Sequence, residues 1–127
     1  MIVVDAGMLI ALWDRSDAHF AVARAVFAQH AESNIHPVNL GEALVHAIRR
    51  GEEHAVRAKL TALGLREVET LTAQGFALAR ARAETGLKMP DCCALVCAEE
   101  LGMPLATVDR RLAEVARRRG LRVLPAA

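Results

Sequence analysis

The chain has 127 residues, of which 54% are hydrophobic and 24% charged, with a formal net charge of +1. This balance favours one folded domain over residues 1–127 and excludes a disordered chain. Aromatic residues make up only 3%, which argues against a protein that binds single strands by stacking bases on aromatic rings.

The cysteines and the apolar runs point to the compartment. Cys92, Cys93 and Cys97 fall in one predicted helix, without the C-x-x-C pairs of a zinc site. The sequence shows neither a secretory signal nor an apolar run near the roughly 18 residues of a membrane span. We therefore expect a cytoplasmic protein that does not contact membranes, with reduced and buried thiols.

The first half of the chain alternates short apolar strands with helices. MIVVD predicts a buried strand, AGMLIALW a first helix or turn, and SNIHPV a weak second strand. Ser16 is placed to cap a helix through DAHFAVARAVFAQHA. Asn39 is placed to cap the next helix, which puts Glu42 in its first turn, and a further helix follows over Glu52–Leu63.

The second half of the chain continues the alternation. LREVETL predicts a strand that leads to Thr72, which is placed to cap a helix ending at Gly86. Pro90 opens the helix PDCCALVCAEEL, and PLATV, DRRLAEVARRR and LRVLP predict a strand, a helix and a last strand. Such alternation indicates an α/β fold with a parallel sheet covered by helices on both faces.

Four acids fall near the carboxyl ends of predicted strands. Asp5 and Asp109 follow buried strands directly, Asp91 follows Pro90, and Glu42 follows the second strand. Because a parallel α/β sheet places its working site beyond these ends, the four side chains can converge. The helix dipole would explain any one of them alone. Together they would repel one another at neutral pH, and a hard cation such as Mg²⁺ or Mn²⁺ would relieve that repulsion.

This acid pattern favours one class of chemistry. Metals held by carboxylates activate water and stabilise the charge that develops on a phosphate under attack. The sequence shows no Ser or Cys nucleophile with a positioned base, no G-x-x-x-x-G-K-[ST] loop and no G-x-G-x-x-G motif. Metal-dependent hydrolysis of phosphodiester bonds is therefore the favoured activity.

Three segments of the chain resemble a known family. VVDAGMLIAL, HPVNLGEALVHAIRRG and LKMPDCCALVCAEELGMPLATVDRRL together resemble PIN-domain proteins, most closely the VapC-type toxins of bacterial toxin–antitoxin pairs. The resemblance covers nearly the whole chain in order. It implies a single PIN-like domain with a five-stranded parallel sheet sandwiched by helices. It also implies an Mg²⁺- or Mn²⁺-dependent endoribonuclease, a hydrolase that acts on RNA.

The resemblance also implies roles for particular residues. It matches the four acids of the family to Asp5, Glu42, Asp91 and Asp109, as catalytic and metal-binding residues. It matches Thr107 to a position whose hydroxyl supports the acids. The implied partners are an RNA substrate, a cognate antitoxin and a second copy of the chain in a homodimer.

Two further sets of side chains bear on these partners. Arg110, Arg111 and Arg49 lie in predicted helices that carry the acids, so they are candidates to attract RNA through its phosphates. Helices near Trp13, Phe20 and Phe27 are either plain core or the wall of an apolar groove for an antitoxin tail.

The sequence departs from the family pattern close to the first acid. Ala6 and Gly7 stand where relatives often carry Ser, Thr or Asn, and Leu112 stands where some carry another acid or an aromatic residue. Two alternatives to a ribonuclease toxin stay open. One is a PIN scaffold that binds partners with weak or no catalysis. The other is a receiver-like domain that accepts a phosphoryl group, although such a domain needs paired acids after its first strand and a late lysine.

Overall fold

The computed structural model describes residues 1–69 and 73–126, which form one five-stranded sheet and seven helices. In chain order the elements are β1 (Ile2–Val4), α1 (Ala6–Leu12), α2 (Phe20–Gln29), β2 (Ser33–Ile35), α3 (Pro37–Arg49), α4 (Glu53–Leu63), β3 (Leu65–Glu67), α5 (Gln74–Thr85), α6 (Met89–Leu101), β4 (Leu105–Ala106), α7 (Arg110–Arg118) and β5 (Val123–Leu124).

The sheet is parallel throughout, with the strand order β3-β2-β1-β4-β5. The predicted α/β class and five parallel strands are thus confirmed. The order also contradicts the receiver-like alternative, because that fold has the order 2-1-3-4-5. In register, Val3 pairs with Leu105 and Val4 with Ala106, so the residues that follow β1 and β4 come out side by side.

Helices cover both faces of the sheet, and the two cores follow from the alternation of side chains along a strand. Val3 faces a core built with α6 and α7, whereas Ile2 and Val4 face a core built with α1, α2 and α3. Both faces of β1 are therefore buried, which is why MIVVD reads as a continuous apolar run rather than an alternating one.

Two helices begin at other residues than the sequence predicts. Ser16 does not cap α2: its hydroxyl donates to Asp14, and α2 begins only at Phe20. Asn39 is not the cap of α3 either. The helix begins at Pro37, and the Nδ1 atom of His36 accepts a hydrogen bond from the backbone N–H of Val38. A proline at the start of a helix needs no partner for its missing N–H, which permits this earlier start.

Other predicted boundaries are longer than the observed ones. The second strand is only Ser33–Ile35, and the strand predicted from LREVETL is only Leu65–Glu67. The backbone N–H of Val68 still donates to the carbonyl of Ile35 at 2.9 Å, so the extended pairing continues one residue further. The proposed cap at Thr72 lies outside the described residues.

The predicted thiols and aromatic residues lie mostly inside the protein. Cys92, Cys93 and Cys97 are buried and free, as expected of packing residues, and burial raises the pKa of Cys97 to about 12. Phe27 is buried in the core that it shares with the partly buried Trp13. The core interpretation of this stripe therefore holds for Phe27.

In the two described stretches, 1–69 and 73–126, none of the helices has the length and apolar character needed to cross a bilayer.

Candidate active site

The topology creates a crevice between β1 and β4. Both strands lie in the middle of the sheet, and the chain winds outward from them in opposite directions, to β2 and β3 on one side and to β5 on the other. Ligands of open α/β sheets bind beyond the carboxyl ends of the strands at such a switch point. Asp5 follows β1 there, and Thr107 follows β4.

Asp5 is held in place by hydrogen bonds from both sides. Its Oδ1 atom accepts from the backbone N–H of Met8 at 3.0 Å, which caps α1. Its Oδ2 atom accepts from the hydroxyl of Thr107 at 2.5 Å. The strand register aligns these two residues, since each follows a paired position. A carboxylate held at both oxygens has one orientation, as a ligand or catalytic group requires.

Asp109 joins the same network through Thr107. The backbone N–H of Asp109 donates to the hydroxyl oxygen of Thr107 at 3.1 Å. The Oδ1 atom of Asp109 accepts from the backbone N–H of Leu112 at 2.9 Å and so caps α7. Among the described residues, the second carboxylate oxygen of Asp109 accepts no hydrogen bond, so it can serve a ligand.

The other two acids come from α6 and α3. Asp91 lies in the first turn of α6, as predicted, and is half-buried. Glu42 is exposed and lies in the second turn of α3, not in the first, because that helix begins at Pro37. The dipole at the helix start therefore does not explain Glu42.

One cavity of about 570 Å³ collects all four acids. Its lining residues are Asp5, Ala6, Gly7, Ile10, Asn39, Glu42, Leu87, Lys88, Pro90, Asp91, Val108, Asp109 and Arg111. The sequence predicted that the acids would converge, and the structure brings them to this single cleft. Asn39 and Lys88 are lining residues that the sequence analysis did not select. The spacing of Asn39 from Glu42, one helical turn, was a signal that it shares that face.

The negative charges of the acids raise the pKa values of their neighbours in the cleft. Burial raises the pKa of Asp5 to about 6, and the charges of Asp91 and Asp109 add to this increase, against the hydrogen bonds from Thr107 and Met8. Burial also raises the pKa of Asp91, and the charges of Asp109 and Glu42 raise it further. The cleft by itself therefore holds more negative charge than its surroundings favour, a frequent property of functional sites.

The donor set fits a hard divalent cation. Four carboxylates and the amide residue Asn39 line the cleft, without a lining sulfur or imidazole, and carboxylate oxygens suit Mg²⁺ and Mn²⁺. In the described residues, no three His, Cys, Asp or Glu side chains stand close enough together to hold a metal ion directly. Mg²⁺ commonly keeps several waters and takes only one or two carboxylates, so this spacing is consistent with a hydrated ion.

Asn39 connects two of the acid-bearing helices. It is 2% exposed, and its Nδ2 atom donates to the carbonyl of Pro90 at 3.0 Å, directly before Asp91. Its Oδ1 atom is buried without a hydrogen-bond partner among the described residues. An unpaired buried acceptor destabilises a fold, so stability by itself does not explain an asparagine at position 39.

We expect Asn39→Leu to weaken Mn²⁺ binding while changing the free energy of unfolding of the metal-free protein by less than about 1 kcal/mol. The leucine loses the bond to Pro90 but also removes the unpaired acceptor, and these effects oppose each other. Calorimetric titration with Mn²⁺ and urea unfolding in EDTA measure the two quantities. Asn34→Leu is the control, because Asn34 is also buried and donates to a carbonyl, that of Ile2, away from the cleft. Equal Mn²⁺ affinity in the wild type and Asn39→Leu would contradict a role for Asn39 in the metal site.

The three candidate arginines separate in space. Arg111 lines the acid cleft. Arg110 instead lines a second cavity of about 460 Å³ on the other side of Asp109, which includes His19 and Arg117. Arg49 is exposed in the last turn of α3 and is not among the residues that line the cleft.

The departure at residues 6 and 7 lies at the cleft wall. A Cβ atom at Gly7 would stand 3.6 Å from the Oδ1 atom of Asp5, an ordinary contact, so a Cβ atom at this position meets no clash with the carboxylate. In this chain the hydroxyl that donates to Asp5 belongs to Thr107, which directly follows the neighbouring strand β4.

Comparison with known proteins gives a family and a set of similar structures. The PIN domain family model matches residues 2–118. A search of curated protein sequences found no match.

Three solved structures share the fold. A toxin–antitoxin complex from Klebsiella pneumoniae superposes with a TM-score of 0.71 at 21% identity, over 86% of this chain and 87% of that one. VapC20 from Mycobacterium tuberculosis, a sarcin–ricin loop cleaving toxin, gives 0.68 at 20% identity, over 91% and 95%. PAE2754 from Pyrobaculum aerophilum gives 0.59 at 25% identity, over 97% and 90%.

Proposed function

Because the chain belongs to the PIN domain family, we propose that it is a metal-dependent endoribonuclease and the toxin of a toxin–antitoxin pair. The observation that carries this proposal is the meeting of Asp5, Glu42, Asp91 and Asp109, from four separate elements, in one cleft. Asp5 in particular keeps a raised pKa that a bound cation would relieve. The structural likeness to a chain of a toxin–antitoxin complex and to a sarcin–ricin loop cleaving toxin supports the same proposal.

The four acids would hold a hydrated Mg²⁺ or Mn²⁺ ion as catalytic residues, one or two of them directly and the others through its waters. An ion bound there supplies a water of lowered pKa and neutralises charge on the phosphate under attack. The chain itself supplies the orientation. Thr107 fixes the carboxylate of Asp5 and the backbone of Asp109, and Asn39 fixes the turn that carries Asp91.

The proposed partners are RNA as the substrate and an antitoxin as the inhibitor, in the cytoplasm. The antitoxin would inhibit the proposed nuclease by covering the acid cleft or its rim. Homodimerisation belongs to the proposal as well, since it is implied by the resemblance to VapC-type toxins. Size-exclusion chromatography with light scattering measures the mass of the assembly.

The direct test is cleavage of total RNA by the purified protein. We expect cleavage with Mg²⁺ or Mn²⁺, none in EDTA, and recovery when either metal is restored, because four carboxylates cannot neutralise a phosphate without a cation. Expression of the wild-type chain should also inhibit growth. Full activity in EDTA would overturn the metal dependence.

Ala6 and Gly7 offer Asp5 no side-chain hydroxyl or amide. Their presence favours a second candidate, a PIN scaffold that binds partners with little catalysis. The calorimetric titration separates the two. An absence of Mn²⁺ binding at millimolar metal would favour the scaffold, whereas binding with RNA cleavage supports the nuclease.

A further inference from the structure

Two cations share the cleft with the four acids. Lys88 lies in the loop between α5 and α6, and Arg111 lies in the first turn of α7, so the fold brings them together from separate elements. Both side chains are exposed. The ion pairs found within residues 1–69 and 73–126 involve neither of them. Their charges are therefore not neutralised by a neighbouring carboxylate at contact distance.

The local backbone positions Arg111. Its Nη2 atom donates to the carbonyl of Thr85 at 3.4 Å. A Cβ atom at Gly86, where φ is +71°, would lie only 3.3 Å from the same nitrogen, so the guanidinium packs closely over this glycine. A guanidinium has five N–H donors, and the bond to Thr85 uses one of them. The remaining donors of Arg111 can serve a ligand in the cleft.

The two cations act on the electrostatics of the site. The positive charges of Lys88 and Arg111 lie in the same cavity as the four carboxylates. Positive charges beside the carboxylates also repel a metal ion, so a site for a cation alone would gain nothing from them. A ligand that bears negative charge next to the cation accounts for both signs of charge in one cavity.

We propose that Lys88 and Arg111 form a phosphate subsite that binds the non-bridging oxygens of the RNA phosphodiester beside the acids. This inference rests on the proposed function and assigns the recognition of substrate within that same cleft. The planar fork of an arginine matches two phosphate oxygens, and a lysine adds a mobile point charge. Arg110 and Arg49 are not part of this subsite, because neither lines the cleft.

The test measures binding of a fluorescein-labelled single-stranded RNA oligonucleotide by anisotropy, with Ca²⁺ as the cation and gels to verify that the RNA stays intact. We expect Lys88→Gln and Arg111→Gln each to weaken binding by roughly tenfold. Each should also reduce the slope of log Kd against log salt by about 0.7, since one phosphate contact is lost.

Matched controls are available for both residues. Lys59→Gln removes the only other lysine, on the exposed surface of α4. Arg118→Gln removes an exposed arginine at the far end of α7, which carries Arg111. Both controls should bind the oligonucleotide like the wild type. Equal binding by the cleft variants and the controls would overturn the subsite.

A second readout separates phosphate binding from support of the metal site. Because a neighbouring positive charge is removed, Lys88→Gln and Arg111→Gln should bind Mn²⁺ as tightly as the wild type or more tightly, by calorimetry without RNA. Weaker Mn²⁺ binding in either variant would show that the residue supports the acids instead, and would overturn the assignment.

Failure of this inference can be distinguished from failure of the proposed function. If the wild type cleaves RNA with Mg²⁺ but both variants bind RNA like their controls, only the subsite is wrong. If the wild type binds RNA through both cations but cleaves none with either metal, the subsite stands and the nuclease proposal fails.

Discussion

Replacement of Asp91 by Asn should reduce Mg²⁺-dependent RNA cleavage by more than about 100-fold and abolish growth inhibition. Loss of an outer partner of a metal ligand already reduces activity or affinity by roughly 10–100-fold, and Asp91 is proposed as a ligand itself. Within residues 1–69 and 73–126, no hydrogen bond from this half-buried side chain holds α6, and Pro90 lies at the start of that helix. Cleavage of total RNA by the folded variant, with its melting temperature as a check, measures the effect.

Glu100→Gln is the matched control for Asp91→Asn. Glu100 is an exposed acid of the same helix, outside the acid cleft, so its loss removes one negative charge without touching the site. It should leave RNA cleavage unchanged. Full cleavage by Asp91→Asn would rule out a catalytic role for this acid.

At Glu42 a single substitution separates an effect on metal binding from an effect on stability. Because its side chain is exposed in the second turn of α3, Glu42→Gln should weaken metal binding and leave the fold intact. A variant that lost stability but kept its metal affinity would show that Glu42 serves the helix alone.

The second large effect is on stability, and it comes from Asp5. Its pKa is raised by burial from 3.8 to about 6 in the folded protein, so folding favours the protonated carboxyl. The stability that the folded protein gains from a protonated Asp5 is fully present below pH 3.8 and is lost as the pH rises through about 6. Above that range the charged carboxylate destabilises the metal-free protein by about 3 kcal/mol, at 1.36 kcal/mol for each pKa unit.

Asp5→Asn should therefore stabilise the metal-free protein by about 3 kcal/mol at pH 7.5 and change it little at pH 4. An amide keeps the acceptor for the N–H of Met8, and its NH₂ donates to the hydroxyl oxygen of Thr107. Urea unfolding in EDTA at the two pH values measures the difference. The raised pKa of Asp91 remains in the variant, so part of the pH dependence should persist.

The same variant should fail as an enzyme while being the more stable protein. Mg²⁺ or Mn²⁺ should raise the melting temperature of the wild type, because an ion that binds only the folded state stabilises it, and should have much less effect on Asp5→Asn. Asp14→Asn is the control, and its effect on stability at pH 7.5 should have the opposite sign, since hydrogen bonds from Ser16 lower the pKa of this exposed carboxylate. Equal stability of Asp5→Asn and the wild type at pH 7.5 would contradict the destabilising effect of the charged Asp5 carboxylate.

The elements and their order could be predicted from the sequence because the signals are local. The β-branched run at Ile2–Val4, the proline at the start of α6 and Gly102 at its end act within a few residues. Strand lengths and helix caps could not be predicted as well. Ser16 and Asn39 have the right chemistry for caps, but His36 and Pro37 compete locally for the start of α3, and Asn39 is used instead against Pro90.

The sequence by itself predicted that Asp5, Glu42 and Asp109 follow parallel strands and that Asp91 opens a helix, so that the four acids can converge at one edge of a sheet. Only the tertiary structure decided which other side chains join them. Neighbouring residues of a helix point about 100° apart, so Arg111 faces the acids while Arg110 faces another cavity. Lys88 enters the cleft from a loop whose path depends on how α5 and α6 pack. These placements arise from contacts between distant segments, and no local pattern records them.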